Sequence, residues 1–472
     1  MHLTVLTDDQ GNPVPKDAPI PLYIPPVFQD VHDASRSAII IGAGPAGLFA
    51  ALTLIEHGIK PIIYERGKEV SERKKDIALL NRNEGLNPES NYCLGEGGAG
   101  TFSDGKLFSR SKKRGNMQRV MELFHYFGAP DTVLYEAHAH IGSDKLPGII
   151  KNIRECILAH GGEIHFETKI DSLKGVTGYG LQVTKTPIIL AIGHSAHDTY
   201  RMLAAEGVAL ETKGFAMGVR TEHPQALINK LMYFKGRDNG MPGFRDSEEL
   251  IQYVGNASYS LVTQVDGRGV YSFCMCPGGH IVPAGSTPDS CVVNGMSASH
   301  RNSPFANSGM VVQINPEDIP GDDPLRGLEY QEELERLAFE HGGPEAQAPA
   351  QRLKDFVEGR ASKDLPACSY LPGIVPSRLD QWLPAHIGKR LQQGFRDFDR
   401  KYPGFLTNDA VILGVESRSS SAVRIPRDPD TLQSVSTPLL YPCGEGAGYA
   451  GGITSSALDG INAALKIADL AR

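Results

Sequence analysis

Two apolar runs near the start of the chain flank a helical pattern. Ala38–Ile41 and Pro61–Tyr64 are short, continuous apolar stretches of the kind that form buried parallel strands. Between them, Leu48, Leu52 and Ile55 recur at the spacing of one helix face. The pattern predicts a strand, a helix and a second strand, the unit from which doubly wound α/β sheets are built.

Three glycines lie where the first strand turns into the helix. Gly42 permits a tight turn, Gly44 lets a ligand approach the backbone, and Gly47 lets the helix lie close to the strand. Glu65 follows the second strand about 20 residues further on, where a carboxylate binds the adenosine ribose of a dinucleotide. Glycine is common in any tight turn, but here the strand, the helix and the acidic residue all fit the same dinucleotide-binding pattern. They predict a dinucleotide site at the helix N-terminus.

The pattern changes along the chain. Residues 187–193 are similar to a third strand of the same sheet, and helices are predicted near 116–127 and 146–160. Apolar and polar residues then alternate in runs that predict an antiparallel sheet, namely Phe215–Arg220, Tyr259–Val265, Val270–Cys274, Cys291–Asn294 and Met310–Ile314. Residues 325–402 are predicted to be mostly helical, and the chain beyond residue 404 is expected to return to the first domain.

Composition narrows the class of protein. A chain of 472 residues is too long for one ordinary core, and 40% hydrophobic with 22% charged residues is typical of soluble globular proteins. The formal net charge of −8 argues against a nucleic-acid partner. No apolar run approaches the ~20 residues that span a membrane. The N-terminal residues do not have the pattern of a signal peptide, and seven scattered cysteines favour reduced thiols, so we expect a cytoplasmic protein.

A second glycine-rich segment, Tyr441–Ser456, distinguishes between the candidate dinucleotides. Glu445 lies in a glycine-flanked turn, where it is placed to bind a ribityl hydroxyl. Gly451, Gly452 and Ile453 then open a helix whose free N–H groups would face the N1–C2=O edge of a flavin, where negative charge collects on reduction. A glycine-rich cap on a C-terminal helix is the alternative. Together with the first glycine turn, the segment favours FAD over NAD.

Four further segments complete a family pattern: Gly95–Lys106, Phe273–Gly279, Asn294–Ser297 and Glu416–Ile425. With the two glycine turns, they make the chain resemble a family of bacterial FAD-dependent dehydrogenases, a branch of the glutathione-reductase-type flavoproteins. The resemblance implies an α/β fold in which a Rossmann-like FAD-binding domain is assembled from both chain ends around an inserted substrate domain of mixed β-sheet and helices. The implied boundaries are a lead-in at 1–35, the FAD-binding domain at 36–210 and 404–472, and the substrate domain at 211–403.

The same resemblance implies which residues meet the cofactor. Arg73 and the loop from Gly95 would lie along the phosphates and the ribityl chain. Glu445 and the helix start at Ile453 would lie against the ribityl chain and the isoalloxazine. The full cofactor-binding set is Gly42, Gly44, Ala46, Gly47, Glu65, Arg66, Arg73, Gly95, Gly97, Gly98, Gly100, Thr101, Gly193, Gly444, Glu445, Gly451, Gly452 and Ile453.

Few protein residues need be catalytic, because a flavin performs the redox step itself. Our candidates are Arg220 and His223, after a predicted strand, and Arg418, near the return to the first domain. Arginine binds a substrate carboxylate through two parallel hydrogen bonds, and structural ion pairs are the alternative role.

Cys274 and Cys276 form C-x-C, for which we expect a packing role in a loop facing the cavity. No ligand cluster predicts a metal site.

The predicted function is that of an FAD-dependent oxidoreductase which transfers hydride between a small organic substrate and the flavin. No second complete dinucleotide fingerprint follows Gly193, so NAD(P)H is expected only as a transient reductant. Two alternatives stay open. One is a flavin monooxygenase driven by NAD(P)H. The other is a protein with a structural flavin that acts as an RNA-modification or prenyl-protein binding factor. The sequence predicts no particular oligomeric state.

Overall fold

The structure is a computed structural model that describes residues 25–108, 115–176, 186–234 and 251–470, apart from 32, 34 and 253. Most of the lead-in predicted at 1–35 lies outside these residues. None of the helices in the described ranges is both long and apolar enough to cross a membrane.

The secondary structure alternates between strands and helices at both chain ends. The strands are β1 (Ser37–Ile41), β2 (Lys60–Tyr64), β3 (Glu163–His165), β4 (Ile188–Leu190), β5 (Glu211–Thr212), β6 (Phe215–Pro224), β7 (Val262–Val265), β8 (Arg268–Cys276), β9 (His280–Pro283), β10 (Val293–Met296), β11 (Phe305–Ile314), β12 (Ala348–Arg352), β13 (Ile374–Pro376), β14 (Val411–Glu416), β15 (Val423–Arg424) and β16 (Leu440–Pro442). The helices are α1 (Pro45–Glu56), α2 (Val70–Asn81), α3 (Met117–Tyr126), α4 (Leu146–Ala159), α5 (Leu173–Val176), α6 (His197–Ala205), α7 (Gln225–Phe234), α8 (Arg326–Glu340), α9 (Leu353–Glu358), α10 (Leu379–Trp382), α11 (Ala385–Lys401) and α12 (Ile453–Leu470).

One sheet is parallel, with the strand order β16-β4-β1-β2-β3. Its central strand β1 is buried along its whole length, and α1 is buried on nearly every side because it packs between the sheet and α12. Strands of a parallel sheet that is covered on both faces are continuously apolar, as β1 is from Ala38 to Ile41. The predicted strand–helix–strand unit and the return of the chain end to the same sheet are therefore confirmed.

The other large sheet has the order β13-β12-β14-β6-β11-β8-β7, and its neighbours are antiparallel except for β12 and β13. The alternating runs of the sequence correspond to β6, β7, β8 and β11, while β10 pairs with β9 in a separate ribbon. Strand β14 lies in the seven-stranded sheet, so the chain returns to the parallel sheet after residue 416 and not at residue 404. The stretch 325–402 likewise contains strands β12 and β13 among its helices.

Each large sheet has its own apolar core. One core lies between the parallel sheet and α1, α3, α4 and α12, and the other lies under the seven-stranded sheet, where α11 buries one face. The crevice beyond the carboxyl ends of the strands is where open parallel sheets bind ligands. In this protein the strands β8 and β10 close that crevice from the opposite side.

Candidate functional site

A cavity opens at the carboxyl ends of the parallel strands. Glycine turns that follow β1, β4 and β16 form one wall, and the opposite wall includes Phe273, Cys274 and Asn294. The predicted cofactor residues that line the cavity are Gly42, Gly44, Ala46, Glu65, Arg66, Gly95, Gly98, Gly100, Gly193, Gly444, Glu445, Gly451, Gly452 and Ile453. Folding therefore brings segments from both ends of the chain into one site.

The turn after β1 depends on two glycines for its shape. Gly42 has a φ of +104°, and a Cβ there would lie 2.4 Å from the carbonyl oxygen of Ala191. A Cβ on Gly47 would lie 1.9 Å from the carbonyl oxygen of Gly42, so only glycine allows α1 to lie this close. A Cβ on Gly44 would meet only the Cα of Gly98, at 3.9 Å. Glycine at position 44 thus leaves space in the cavity. The shape of the turn itself does not require a glycine at this position.

Glu65 and Arg66 lie at the end of β2. The buried carboxylate of Glu65 accepts hydrogen bonds from the N–H groups of Ala43 (2.8 Å) and Gly67 (2.9 Å). An ionised carboxylate has further acceptor sites, so Glu65 can hold the turn and still accept a ribose hydroxyl. Arg66 donates two hydrogen bonds to Asp198 (2.7 and 2.9 Å), which fixes its guanidinium at the cavity edge.

Arg73 supports the glycine loop from behind. Its side chain is fully buried and donates hydrogen bonds to the carbonyl groups of Asn91 (2.7 Å), Tyr92 (3.0 Å) and Glu96 (2.7 Å). Burial lowers the pKa of Arg73 to about 10, so the guanidinium stays charged at neutral pH. This position corrects the expectation that Arg73 lies along the phosphates, because each of its three side-chain nitrogens donates to a carbonyl group of the protein.

Gly47, Gly97 and Thr101 also lie outside the lining of the cavity. Gly97 has a φ of +80°, and a Cβ there would lie 2.0 Å from the hydroxyl oxygen of Thr101. The Thr101 hydroxyl donates to the carbonyl of Glu96 (3.1 Å). These three residues shape the turns that face the cavity. A sequence pattern identifies such residues but does not say on which side of them the ligand lies.

The C-terminal glycine loop is fixed to α12 by a buried carboxylate. Asp459 accepts a hydrogen bond from the N–H of Gly444 (2.8 Å) and pairs with Arg427 through both of its oxygens (2.6 and 2.9 Å). Next to this clamp, Glu445 faces the cavity, with the Nδ1 atom of His194 3.4 Å from its carboxylate.

The beginning of α12 lies at the cavity edge. The first four N–H groups of any helix have no partner within the helix, and the helix dipole places partial positive charge there. Gly451, Gly452 and Ile453 line the cavity at this point. The arrangement therefore presents hydrogen-bond donors and positive potential to a ligand.

Ser195 is a site residue that sequence reasoning missed. Its hydroxyl is buried in the cavity wall and has no hydrogen-bond partner. Leaving such a group unpaired costs about 1–3 kcal/mol, so a polar ligand in the cavity is the partner that this site lacks. The signal for Ser195 in the sequence is its place just after Gly193, in the turn that forms an incomplete second dinucleotide fingerprint.

Lys106 brings positive charge to the wall opposite the glycine turns. Its ammonium group donates to the carbonyl of Met275 and lies 3.1 Å from the carboxylate of Asp104. Burial opposes the charged form, but the neighbouring Cys276, Cys274 and Asp104 raise the pKa of Lys106. The lysine is therefore a permanent cation beside the cavity.

Arg220 is fully buried and does not line the cavity. Its guanidinium donates to the Oδ1 atom of Asn307 (2.8 Å) and to the carbonyl of Cys274 (2.8 Å), and it pairs with Glu416 (3.1 Å). A ligand in the cavity would not reach these donors. The structure therefore corrects the expectation of a catalytic Arg220 and shows a residue that positions the backbone of β8.

The other two catalytic candidates also have structural partners. His223 lies outside the cavity lining, its Nε2 atom is 2.9 Å from the carbonyl of Phe405, and burial lowers its pKa to about 4. Arg418 does line the cavity, but it pairs with both carboxylate oxygens of Glu335 (2.7 and 2.9 Å) and donates to Ser286 (2.8 Å). His223 is thus corrected to a buried, neutral residue, and Arg418 has no free pair of donors for a substrate carboxylate.

The side chains described show no metal centre. No group of three or more His, Cys, Asp or Glu residues in the described ranges is arranged to hold a metal ion.

Two family models match the chain. Residues 36–97 match a model described as an FAD binding domain, and residues 214–419 match one described as "FAD-dependent protein, C-terminal domain-like". A protein of Clostridium beijerinckii, described as uncharacterized, is 43% identical over 438 residues, which are 91% of this chain and 80% of the relative. The chain therefore belongs to the same family as this relative, the FAD-dependent proteins that the two models describe. Its cofactor is FAD.

Solved structures show a weaker likeness. CtdE in complex with FAD is 10% identical, with 91% of this chain and 83% of that chain covered and a TM-score of 0.30. CmlS, a flavin-dependent halogenase, is 13% identical, with 92% and 58% covered and a TM-score of 0.33. TM-scores this low carry no argument about activity. The glutathione-reductase-type branch inferred from the sequence stays a prediction.

The cavity fits FAD on three local observations. Gly44 leaves space at the start of α1, Ser195 has a buried hydroxyl without a partner, and the N-terminus of α12 has free donors at the cavity edge. The α1 N-terminus would hold the pyrophosphate and Glu65 the adenosine ribose. The start of α12 would hold the isoalloxazine. When bound, FAD supplies reversible acceptance of an electron pair, which no side chain of the cavity offers alone.

Proposed function

We propose that this protein is an FAD-dependent oxidoreductase of the dehydrogenase type, which passes hydride between a small organic substrate and the flavin. The observation that carries the proposal is the shared cavity. Its glycine-rich wall suits the cofactor, while its opposite wall, with Phe273, Cys274 and Asn294, comes from the antiparallel strands. A flavin on the first wall would share the cavity with a substrate held against the second.

Positive charge on two sides of the cavity supports this proposal. The N-terminus of α12 lies at one edge, and the ammonium group of Lys106 lies at the opposite wall. Fixed positive groups stabilise negative charge that develops in a site shielded from water. A flavin gains negative charge when it accepts hydride, so both groups favour its reduction.

The source of the electrons is part of the proposal. Within the described ranges, a single parallel sheet carries the dinucleotide pattern, and a second unit of that kind does not follow β4. We therefore propose that the organic substrate reduces the flavin directly, with NAD(P)H as a transient visitor at most.

An anaerobic titration tests this proposal. The purified FAD-loaded protein is mixed with NADPH, with NADH, and with a panel of small alcohols, amines and 2-hydroxy acids, while the flavin absorption band is followed. We expect the band to persist with the nicotinamides and to bleach with one substrate class. Rapid bleaching by NADPH would instead support a reductase or monooxygenase. A protein that shows no flavin band after addition of FAD would contradict the assignment altogether.

A further inference from the structure

Cys274 lies at an irregularity of β8 that faces the cavity. The pairing of β8 with β11 shifts between Phe273, opposite Gly309, and Cys276, opposite Asn307, so β8 contains an extra residue there. Cys274 itself has a φ of +48°, a conformation that residues with a side chain rarely adopt. Bulges and such strained residues are concentrated near active sites. The irregularity brings Cys274 to the cavity wall, while Cys276 is fully buried behind it.

The Cys276 thiol lies next to Cys274. It donates a hydrogen bond to the carbonyl oxygen of Cys274 (3.3 Å). The left-handed conformation at Cys274 belongs to the bulge, which bends the strand between the two cysteines. Neither thiol is engaged in a disulfide. The pair therefore has one accessible and one sheltered sulfur.

Two cations hold the backbone around this pair. Arg220 donates to the carbonyl of Cys274 (2.8 Å) and has a nitrogen 3.6 Å from the sulfur of Cys276, and Lys106 donates to the carbonyl of Met275. Neighbouring lysine and arginine charges stabilise a thiolate, which is the nucleophilic and redox-active form of cysteine. Glu416 pairs with Arg220, and Asp104 pairs with Lys106, so these two carboxylates oppose part of this effect.

The electrostatics separate Cys274 from the structural cysteines. The hydrogen bond from Cys276 lowers the pKa of the Cys274 thiol against the effect of burial, and the charges of Lys106 and Arg220 lower it further. The same hydrogen bond, together with burial, raises the pKa of Cys276. By contrast, burial raises the pKa of Cys156 to about 11 and that of Cys291 to about 12. An accessible thiolate beside a sheltered thiol is the arrangement that dithiol redox chemistry needs.

We propose that Cys274 and Cys276 form a redox-active dithiol that exchanges an electron pair with the flavin. In the oxidising direction the Cys274 thiolate and the Cys276 thiol lose two electrons and one proton as one S–S bond forms, and the oxidised flavin accepts that proton and both electrons. In the reverse direction the reduced flavin cleaves the disulfide and returns the proton to Cys276. This inference rests on the proposed redox function of the flavin. It revises the packing role expected for the C-x-C motif. Cys276 is buried, as a packing role requires, but Cys274 lines the cavity.

Electron counting tests the inference on the FAD-loaded protein. The sample is oxidised with diamide, desalted, and titrated anaerobically with dithionite. We expect the wild-type protein to take up about four electrons per chain, because a disulfide and a flavin are each two-electron couples. Cys274→Ser and Cys276→Ser should take up about two. Cys156→Ser, a half-buried thiol outside the cavity, is the matched control and should still take up about four. A wild-type uptake of about two would overturn the inference.

Two further measurements separate this inference from the proposed function. After diamide treatment of the apoprotein, alkylation and mass mapping should find Cys274 and Cys276 unmodified and joined, a result that needs no flavin. In the half-reduced holoprotein, a thiolate beside oxidised flavin should add a long-wavelength absorbance that Cys274→Ser lacks and Cys156→Ser retains. Free alkylation of both thiols, or no such absorbance, would contradict the dithiol. A flavin that no reductant bleaches would instead contradict the proposed function, while leaving the thiol mapping interpretable.

Discussion

At the scale of single residues, the site contains two kinds of residue. Some leave space for the ligand, and others hold the protein loops that surround the cavity. Gly44 belongs to the first kind, because a side chain there would meet almost nothing in the protein. Arg73 belongs to the second, because each of its side-chain nitrogens donates to a carbonyl group in or just before the glycine loop. Both were assigned to the cofactor from sequence alone. Pattern matching does not distinguish the two roles, since either substitution would damage FAD binding.

Gly44→Val tests the first kind of role. A Cβ at this position clears the protein by 3.9 Å, so the fold should persist, but the branched side chain would occupy the cavity at the α1 N-terminus. We expect roughly a 100-fold loss of FAD affinity, about 3 kcal/mol. Flavin fluorescence titration measures it, and circular dichroism checks the fold. Gly148→Val, at an exposed helical position with open space around it, should bind FAD normally. A Gly44→Val protein that purifies with full flavin would contradict the site.

Glu96 makes the stability of the glycine loop depend on pH. Its buried carboxylate accepts from Val70 N–H (2.7 Å) and pairs with Arg154 (3.1 Å), but its Oε1 atom has no partner. Burial raises its pKa from 4.5 to about 7. The folded state thus binds this proton more tightly than the unfolded state. The resulting stabilisation is fully present below pH 4.5 and is lost as the pH rises through about 7.

Glu96→Gln should remove this pH dependence. Across the window between the two pKa values, the wild-type protein should lose up to about 3 kcal/mol of unfolding free energy relative to the variant, with the loss complete above pH 7. Urea denaturation of both proteins at several pH values measures the difference. Glu155→Gln, an exposed residue on α4, should follow the wild type. A difference between wild type and Glu96→Gln that does not change with pH would refute the role of Glu96.

At the scale of elements, the helices α1 and α12 direct their N-termini to the same cavity because they pack very closely. A Cβ on Gly460 of α12 would lie 2.0 Å from the carbonyl oxygen of Ala46 in α1. The first helix was predicted from its pattern of apolar residues, and α12 was predicted from the glycine turn that opens it. Their close contact depends on two segments at opposite ends of the chain, which no local periodicity links. The clamp formed by Asp459, Arg427 and Gly444 then fixes the glycine loop to α12.

Asp459→Ala should release that loop from α12. It leaves the largely buried Arg427 guanidinium without its carboxylate, which costs about 3 kcal/mol or more. It also removes the acceptor for the Gly444 N–H. We expect a lower melting temperature and weaker FAD binding together, measured by thermal denaturation with and without FAD. Asp430→Ala, which removes an exposed carboxylate three residues from Arg427 in the sequence, should change neither. Normal FAD affinity in Asp459→Ala would show that the loop does not need the clamp.

At the scale of the whole molecule, α8 connects the two large sheets. Its Glu332 lies 3.0 Å from the Nδ1 atom of His197 in α6, and its Glu335 holds Arg418 at the cavity. Sequence reasoning identified Arg418 as a substrate ligand because a pair of donors near the cofactor suits a carboxylate. The partner that occupies those donors is more than eighty positions away in the chain. Only the tertiary structure brings the two together.

A double-mutant cycle tests whether Arg418 is structural. Arg418→Met leaves the buried Glu335 unpaired and should lower the unfolding free energy by about 3–5 kcal/mol. Combining it with Glu335→Met removes the uncompensated charge and should recover much of that loss, because buried ion pairs are often replaceable by apolar residues of similar volume. Denaturant unfolding of both single variants and the double variant gives the coupling energy. Additive effects in the cycle would mean that Arg418 acts independently of Glu335.

The sequence by itself determined the elements and the chemistry that depend on near neighbours in the chain. The strand–glycine–helix unit, the acid after β2 and the glycine loop before α12 are local patterns, because backbone conformation and helix ends are set within a few residues. The tertiary structure decided which side chains face the cavity. Arg73, Arg220 and His223 point elsewhere because buried carbonyl and carboxylate groups, distant in sequence, satisfy them. Ser195 and Cys274 reach the cavity because a strand-end turn and a bulge place them there, and periodicity alone does not record such irregularities.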